Sequence, residues 1–205
     1  MEKWDFMPEL EVEGNRLELV EEMRILGLVV RSDLKWSSNT KYIVDKAYGR
    51  LWMLRRLKKH GAGSEDLKDV YTKQVRSVLE PAVPAWHPGL TQSDSLDIER
   101  VQRAACYIIL GPNYKSYKSA LETLGLDSLA TRRETLCLNF GKKAIKHDKH
   151  SNWFKINLNH RVTRQPRNKF CPVIARTKRF QDSPISYLTQ LLNEYYMTRR
   201  LPKEV

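Results

Sequence analysis

The chain has 205 residues, a formal charge of +12, a pI near 9.7, and a composition that is 41% hydrophobic and 29% charged. That length and balance allow a packed core and exclude a disordered profile, and no apolar run approaches the roughly 20 residues that span a bilayer. Cys106, Cys137 and Cys171 are too few and too far apart for a disulfide framework, so each is free to be buried as a small apolar group and a reducing compartment, nucleus or cytoplasm, is expected.

The charge is unevenly placed. Residues 1–40 carry nine acids against five Lys/Arg, whereas residues 141–180 carry twelve Lys/Arg against the single acid Asp148. A concentrated basic excess favours a polyanionic partner, nucleic acid ahead of an anionic membrane. The N-terminus, MEKWDFMPEL, has neither the basic n-region nor the apolar h-region of a signal peptide.

In chain order, LEVEG and RLELV alternate apolar and polar residues around Gly14-Asn15, and Met23 to Val30 forms a short apolar run, so the first segment reads as strands. So small a sheet cannot stand alone. Leu10, Val12, Leu17, Leu19 and Ile25 must therefore face the helices behind them or be left exposed for a missing neighbour. Glu9, Glu11 and Glu13 fall on alternating strand positions and read as one solvated face.

From Ser38 to His60, Ile43, Ala47, Leu51, Leu54 and Leu57 recur at spacings of three and four, and Gly61 follows, which predicts a helix. A second helix is predicted from Ser64, with Glu65 and Asp66 in its first turn and Leu67, Val70, Tyr71, Val75 and Val78 inward, until Pro81 stops it. PAVPAWHPG reads as a proline-broken loop.

Thr91 and Asp94 at capping-box spacing open a third helix through Ile98, Val101, Ala105 and Ile108 to Gly111-Pro112. A short helix from Tyr117 to Leu124 ends at Gly125, and a longer one after Asp127-Ser128 turns Leu129, Leu136, Phe140 and Ala144 inward. After His147 the periodicity fades into a basic tract with Pro166 and Pro172, read as a linker or arm that orders on binding, and Ile185 to about Tyr195 forms a last short helix.

The expected fold is thus mainly α: a small antiparallel β edge (1–36), a helical bundle (37–147), a basic, partly disordered linker or arm (148–184), and a short C-terminal helix and tail (185–205).

Motifs of catalysis are scarce. Phosphoryl transfer needs clustered carboxylates to hold metal ions, and the chain has no Asp-Asp pair, no Gly-rich phosphate loop and no G-x-S-x-G elbow. His147, His150, His160 and Cys171 make a zinc set only on paper, because only the first two are close in sequence and no C-x-x-C knuckle accompanies them. No metal or cofactor is expected on this chain.

Arg50, Arg55, Arg56, Lys58 and Lys59 gather at the end of the first helix with Trp52 among them and no acid between. Cations suit a helix C-terminus in any case, yet five like charges exceed what capping needs and should repel unless a polyanion lies nearby. Trp52 is either a partly buried aromatic or a ring on which a base stacks.

The order of segments adds to this reading. Gly14-Asn15 in a hairpin, MRILGLVV, DLKW, a helix ending LWMLRRLKKH, VLEPAVPAWHPGL, DIERVQRAACYIILG and ALETLGLDSLATRRETL together resemble the C-terminal part of non-LTR retrotransposon reverse transcriptases over residues 9 to 147, and SPISYLTQLLNEYY resembles the end of such polyproteins. The resemblance implies that Ile25-Leu26-Gly27 is the palm-end segment that positions the primer end. It also implies that 38–79 is the thumb holding the primer–template duplex, and that the stretches at Glu99, Gln102 and Arg103 and at Arg132-Arg133 are the post-thumb region.

The catalytic Tyr/Phe-x-Asp-Asp turn, the earlier palm carboxylate and the endonuclease domain of that family have no counterpart here. Pro81 stands where the family usually has Tyr, and the C-terminal Cys/His knuckle is missing. The chain is therefore expected to be non-catalytic by itself, Mg²⁺ belonging only to a parent enzyme. Its expected partners are an RNA or DNA backbone, with no membrane, and a separate palm or parent reverse transcriptase. Contacts to nucleic acid are expected from Arg50, Trp52, Arg55, Arg56, Lys58, Lys59, Arg103, Arg132, Arg133, Lys142 and Lys143, and primer positioning from Leu26 and Gly27. The alternative is a domesticated helical protein-interaction module whose charge is incidental.

Overall fold

The computed structural model describes residues 10–157 and 168–198. It is mainly helical, with two small antiparallel hairpins at the N-terminal edge. The first pairs β1 (Glu11–Val12) with β2 (Asn15–Arg16) around Glu13 and Gly14, whose φ of 51° and 78° are the left-handed values a two-residue hairpin favours. Glu13 is thus a turn residue rather than part of a strand face, and Glu9 lies outside the described residues.

The apolar run from Met23 to Val30 is not one strand. It folds back on itself as β3 (Glu22–Ile25) and β4 (Leu28–Arg31), with Leu26 and Gly27 at the tip. This second hairpin is docked: Leu28 is buried, the Val29 amide donates to Asn39 Oδ1 at 3.1 Å, and Ser38 Oγ donates to Glu22 Oε1 at 2.6 Å. The first hairpin is not, and Leu10, Val12, Leu17, Leu19 and Ile25 are all about half exposed or more.

Helix α1 (Ser37–Lys59) buries Ile43, Val44, Ala47, Leu51 and Leu54, chiefly against α5 (Gln92–Leu110). The predicted stripe overreaches by one residue, because Leu57 sits on the helix's rim and stays 39% exposed. The helix opening at Ser64 runs as α2 (Ser64–Val70), a π-helical stretch Tyr71–Arg76, and α3 (Ser77–Leu79). The wider turn brings Tyr71, Val75, Val78 and Leu79 onto one buried face.

PAVPAWHPG is not an open loop. Ala82, at φ 47°, reverses the chain into α4 (Val83–Trp86), and a 3-10 turn covers His87–Gly89. Pro84 occupies one of the first helical positions, where its missing N–H costs nothing. Trp86 is fully buried and its Nε1 donates to the Pro81 carbonyl at 2.7 Å, an anchor hidden in a segment whose prolines suggested a loop.

α5 opens on the expected capping box, Thr91 accepting from Asp94 N while Asp94 reaches back to Thr91 N. α6 (Tyr117–Leu124) is capped by Ser116 and ends at Gly125 in the left-handed conformation, and α7 (Leu129–Lys146) is capped by Ser128. Phe140, expected inward, is 39% exposed, and the inward positions are Leu129, Arg133, Cys137, Gly141 and Ala144. At Gly141 the Leu192 side chain packs close, 3.2 Å from where a Cβ would stand, so a larger residue would make that leucine shift.

Both described flanks of the basic tract are fastened to the helical body. Phe154 and Phe170 are buried with ring centroids 6.0 Å apart, Ile156 bridges to Phe170, and Asn193 accepts from Phe170 N at 2.9 Å while donating to its carbonyl at 3.1 Å. Residues 158–167, with His160 and Pro166, lie outside the described residues. α8 (Lys178–Gln181) and α9 (Pro184–Thr198) complete the fold, α9 packing on α7. Cys106 and Cys137 are core groups whose thiols burial pushes up to about 11 and about 12, whereas Cys171 is exposed. No described helix is long and apolar enough to cross a membrane.

Candidate nucleic-acid interface

The basic residues marked out by sequence have different fates, decided by partners far along the chain. On α1, Trp52 is 54% exposed and the Arg56 guanidinium lies 5.9 Å from its ring centroid. Arg55, Arg56 and Lys59 are exposed and have no ion-pair partner among the described residues. At 100° per residue Trp52, Arg56 and Lys59 share the side of α1 opposite Ala47 and Leu54, so the helix presents them outward by construction.

Lys58 does not belong to this surface. Its Nζ donates to the carbonyls of Ile108 at 2.5 Å and Ile109 at 3.0 Å, capping the C-terminus of α5 with a cation. Gly111, at φ 55°, makes room for it, since a Cβ there would lie 2.5 Å from that Nζ.

Arg132 and Arg133 are also taken up internally. Arg132 makes a two-pronged ion pair with Glu80, its Nη2 at 3.1 Å from Oε2, and Glu80 also faces Arg76 at 3.3 Å. Arg133 is 2% exposed, with Nη2 donating to Ser95 Oγ at 2.7 Å and Nε to His87 Nδ1 at 3.3 Å. Burial lowers its pKa, and burial followed by the Arg133 charge pushes the His87 imidazole down to about 4. Neither arginine is free to meet a phosphate.

Glu99 and Gln102 likewise build the interior. Gln102 accepts from Tyr71 and donates to Tyr117 and the Asp127 carbonyl, while Glu99 accepts from Tyr117 and from Leu129 N at 3.0 Å. Burial, then the Glu99 bond, raises the Tyr117 hydroxyl. Arg103 is exposed and lies 5.2 Å from the Tyr117 ring, away from the α1 surface. Lys143 is exposed and Lys142 is half-buried over Tyr195, both on α7.

A cleft of about 260 Å³ does join several of the remaining residues. Gly27 of the hairpin tip, Tyr42, Ile43, Lys46 and Arg50 of α1, and Ser77, Val78 and Pro81 line it, with no acid among them. Arg24 of β3 places its guanidinium 4.8 Å from the Tyr42 centroid, and Lys46 Nζ lies 5.7 Å from the same ring. Two cations are therefore held beside one ring, while Arg50 is fixed by donating to the Gln74 carbonyl.

Leu26 projects beside this cleft at 99% exposure and φ 48°. A left-handed backbone costs a non-glycine residue roughly 1–2 kcal/mol, so both its conformation and its exposure run against folding preference. Arg24, Tyr42 and Lys46 were missed in sequence. The spacing of Tyr42, Lys46 and Arg50 at i, i+4 and i+8 was the available signal.

Among the described residues no group of three or more His, Cys, Asp or Glu could hold a metal ion. No protein family, curated protein or solved structure matches the chain.

Proposed function

We propose that the chain is a non-catalytic C-terminal portion of a retrotransposon reverse transcriptase that binds RNA or DNA through the sugar–phosphate backbone without reading sequence. The observation that carries this reading is the acid-free basic cleft beside the Leu26–Gly27 tip, together with exposed Trp52, Arg56 and Lys59 on a neighbouring side of α1. Unpaired cations at fixed positions repel one another, and a phosphate chain relieves that repulsion while releasing its own counterions. Backbone contacts position a nucleic acid and carry no sequence information.

On this reading polymerisation belongs to a parent polypeptide or a separate palm that supplies the Mg²⁺-binding carboxylates, in the nucleus or cytoplasm. The purified chain is expected to extend no primer on any template.

Salt-titrated binding tests the proposal. The logarithm of affinity should fall with the logarithm of salt by about 0.7–0.9 for each phosphate neutralised, roughly 4–5 for six contacts. The variant R24A/K46A/R55A/R56A/K59A should flatten that slope for RNA and DNA alike. A parent slope near zero, or a variant binding as tightly as the parent, refutes it. The other reading, a helical protein-interaction module, is favoured by the exposed apolar residues of the first hairpin, and pairing of the chain with a protein in high salt is its signature.

A further inference from the structure

The end of α7 carries a feature that the α1 surface does not use. The rings of His147 and His150 stack with centroids 4.8 Å apart at 24°, and His150 meets Trp153 at 4.4 Å and 41°. His147 is exposed and Trp153 retains 38% of its surface in solvent, although the core clusters nearby already bury Phe154 and Phe170. His150 Nδ1 is buried with no hydrogen-bond partner. Lys143, Lys146 and Lys149, all within a few residues of the rings in sequence, are exposed, with Asp148 the single acid in residues 141–157.

A helix C-terminus accounts for Lys143 and Lys146 but not for a row of three neighbouring rings whose two ends, His147 and Trp153, reach solvent. Rings already held in register are a prepared platform for one more flat group, and the lysines supply countercharge for what flanks it. A base within a duplex has both faces covered by its neighbours, whereas an unpaired base has a free face.

We infer that the His147–His150–Trp153 row is a second nucleic-acid site, which takes single-stranded nucleic acid by stacking a base on the rings while Lys143, Lys146 and Lys149 hold the adjacent phosphates. Its rings stand on the turn and 3-10 helix (Ser151–Trp153) that follow α7, whose last turns supply Lys143 and Lys146, and so separately from α1, although both helices pack against α5. The chain therefore grips a single strand and a duplex at different places, and this site stands or falls independently of the α1 surface.

The test titrates the full chain against a fluorescein-labelled oligouridine and a blunt RNA duplex of equal length. Trp153→Ala should weaken oligouridine binding about 5- to 150-fold, the loss of one stacked base, and leave duplex affinity within about twofold. Trp153→Phe should restore most of the oligouridine affinity. R55A/R56A/K59A should do the reverse, weakening the duplex more than the oligomer.

Because Trp153 contacts the body, K143Q/K146Q/K149Q provides a second measurement at exposed positions, and it should lower the oligouridine salt slope by about 2. Trp153→Ala binding oligouridine as tightly as the parent overturns the inference. So does an equal loss of oligouridine and duplex, or a triple-glutamine variant with an unchanged slope.

Discussion

Lys58 and Lys59 are adjacent, alike in charge and at the same helix end, yet they should behave oppositely when truncated. Lys58 Nζ makes two bonds to carbonyls at the end of α5, at 2.5 and 3.0 Å. A hydrogen bond from a charged donor contributes about 1.5–3 kcal/mol, and a cation at a helix C-terminus about 0.3–1 kcal/mol more. Fixing a lysine side chain costs up to about 2 kcal/mol of rotamer entropy. The net loss in Lys58→Ala is then about 1–2 kcal/mol. For a chain of 205 residues, where each kcal/mol moves Tm by about 2–4 °C, that is a fall of roughly 2–8 °C. Lys59→Ala removes an exposed, unpaired cation and should change stability by less than about 0.5 kcal/mol while lowering the salt slope of nucleic-acid binding by about 0.7–0.9. Thermal denaturation by circular dichroism and binding at graded salt, run on both variants, separate the two roles. Lys58→Ala melting with the parent, or Lys59→Ala keeping the full slope while Lys58→Ala loses it, would refute this division.

Other substitutions test the interior and the outward face. Arg133→Met should destabilise by about 3 kcal/mol in urea titration, because it strands His87 Nδ1 and Ser95 Oγ and removes the charge that faces Glu99, while per-molecule nucleic-acid affinity of the folded fraction stays unchanged. With the His87 pKa depressed from 6.5 to about 4, the unfolded chain takes up the proton first, so stability should fall from about pH 6.5 down through pH 4 and then level. The unscreened limit is about 3 kcal/mol, and partial exposure reduces it to about 2. His87→Asn, which keeps an acceptor for Arg133, should lack this component when the two urea-unfolding pH profiles are subtracted. Gly49 lies inside α1 with nothing within 4 Å of where a Cβ would be. Gly49→Ala should therefore raise stability by about 0.5–1 kcal/mol, read as a higher Tm, and weaken duplex binding only if a backbone approaches that closely.

The helices were legible because their signals are local. The capping box at Thr91 and Asp94, Ser128 before α7 and Gly125 after α6 each fix an end within a few residues, and the three-and-four spacing fixes the buried face. The π-helical stretch escaped because one added residue per turn leaves Tyr71, Val75 and Val78 at separations that an ordinary helix also tolerates. The hairpin within MRILGLVV escaped because Leu is a poor turn former, and only Gly27 hinted at a reversal. The basic residues were the hardest to sort. Lys58, Arg132 and Arg133 find partners 50, 52 and 46 residues away, and nothing in the local pattern distinguishes them from Arg55, Arg56 and Lys59.

The N-terminal edge joins stability to function. A two-stranded hairpin is marginal in water unless something covers a face, and β1–β2 exposes Leu10, Val12 and Leu17 with no buried residue of its own. The second hairpin is pinned to α1 through Leu28 and Asn39, and Gly27 at its tip lines the basic cleft, whereas no residue of the first hairpin does. Leu26 at the tip combines a disfavoured backbone with full exposure, a combination that folding alone does not select. On the proposed reading, an apolar edge next to a cationic cleft is where a palm would meet the chain and the duplex together. Addition of a separately supplied palm should then slow hydrogen exchange at Val12 and Asn15 and tighten duplex binding together, since both gains come from covering the same edge.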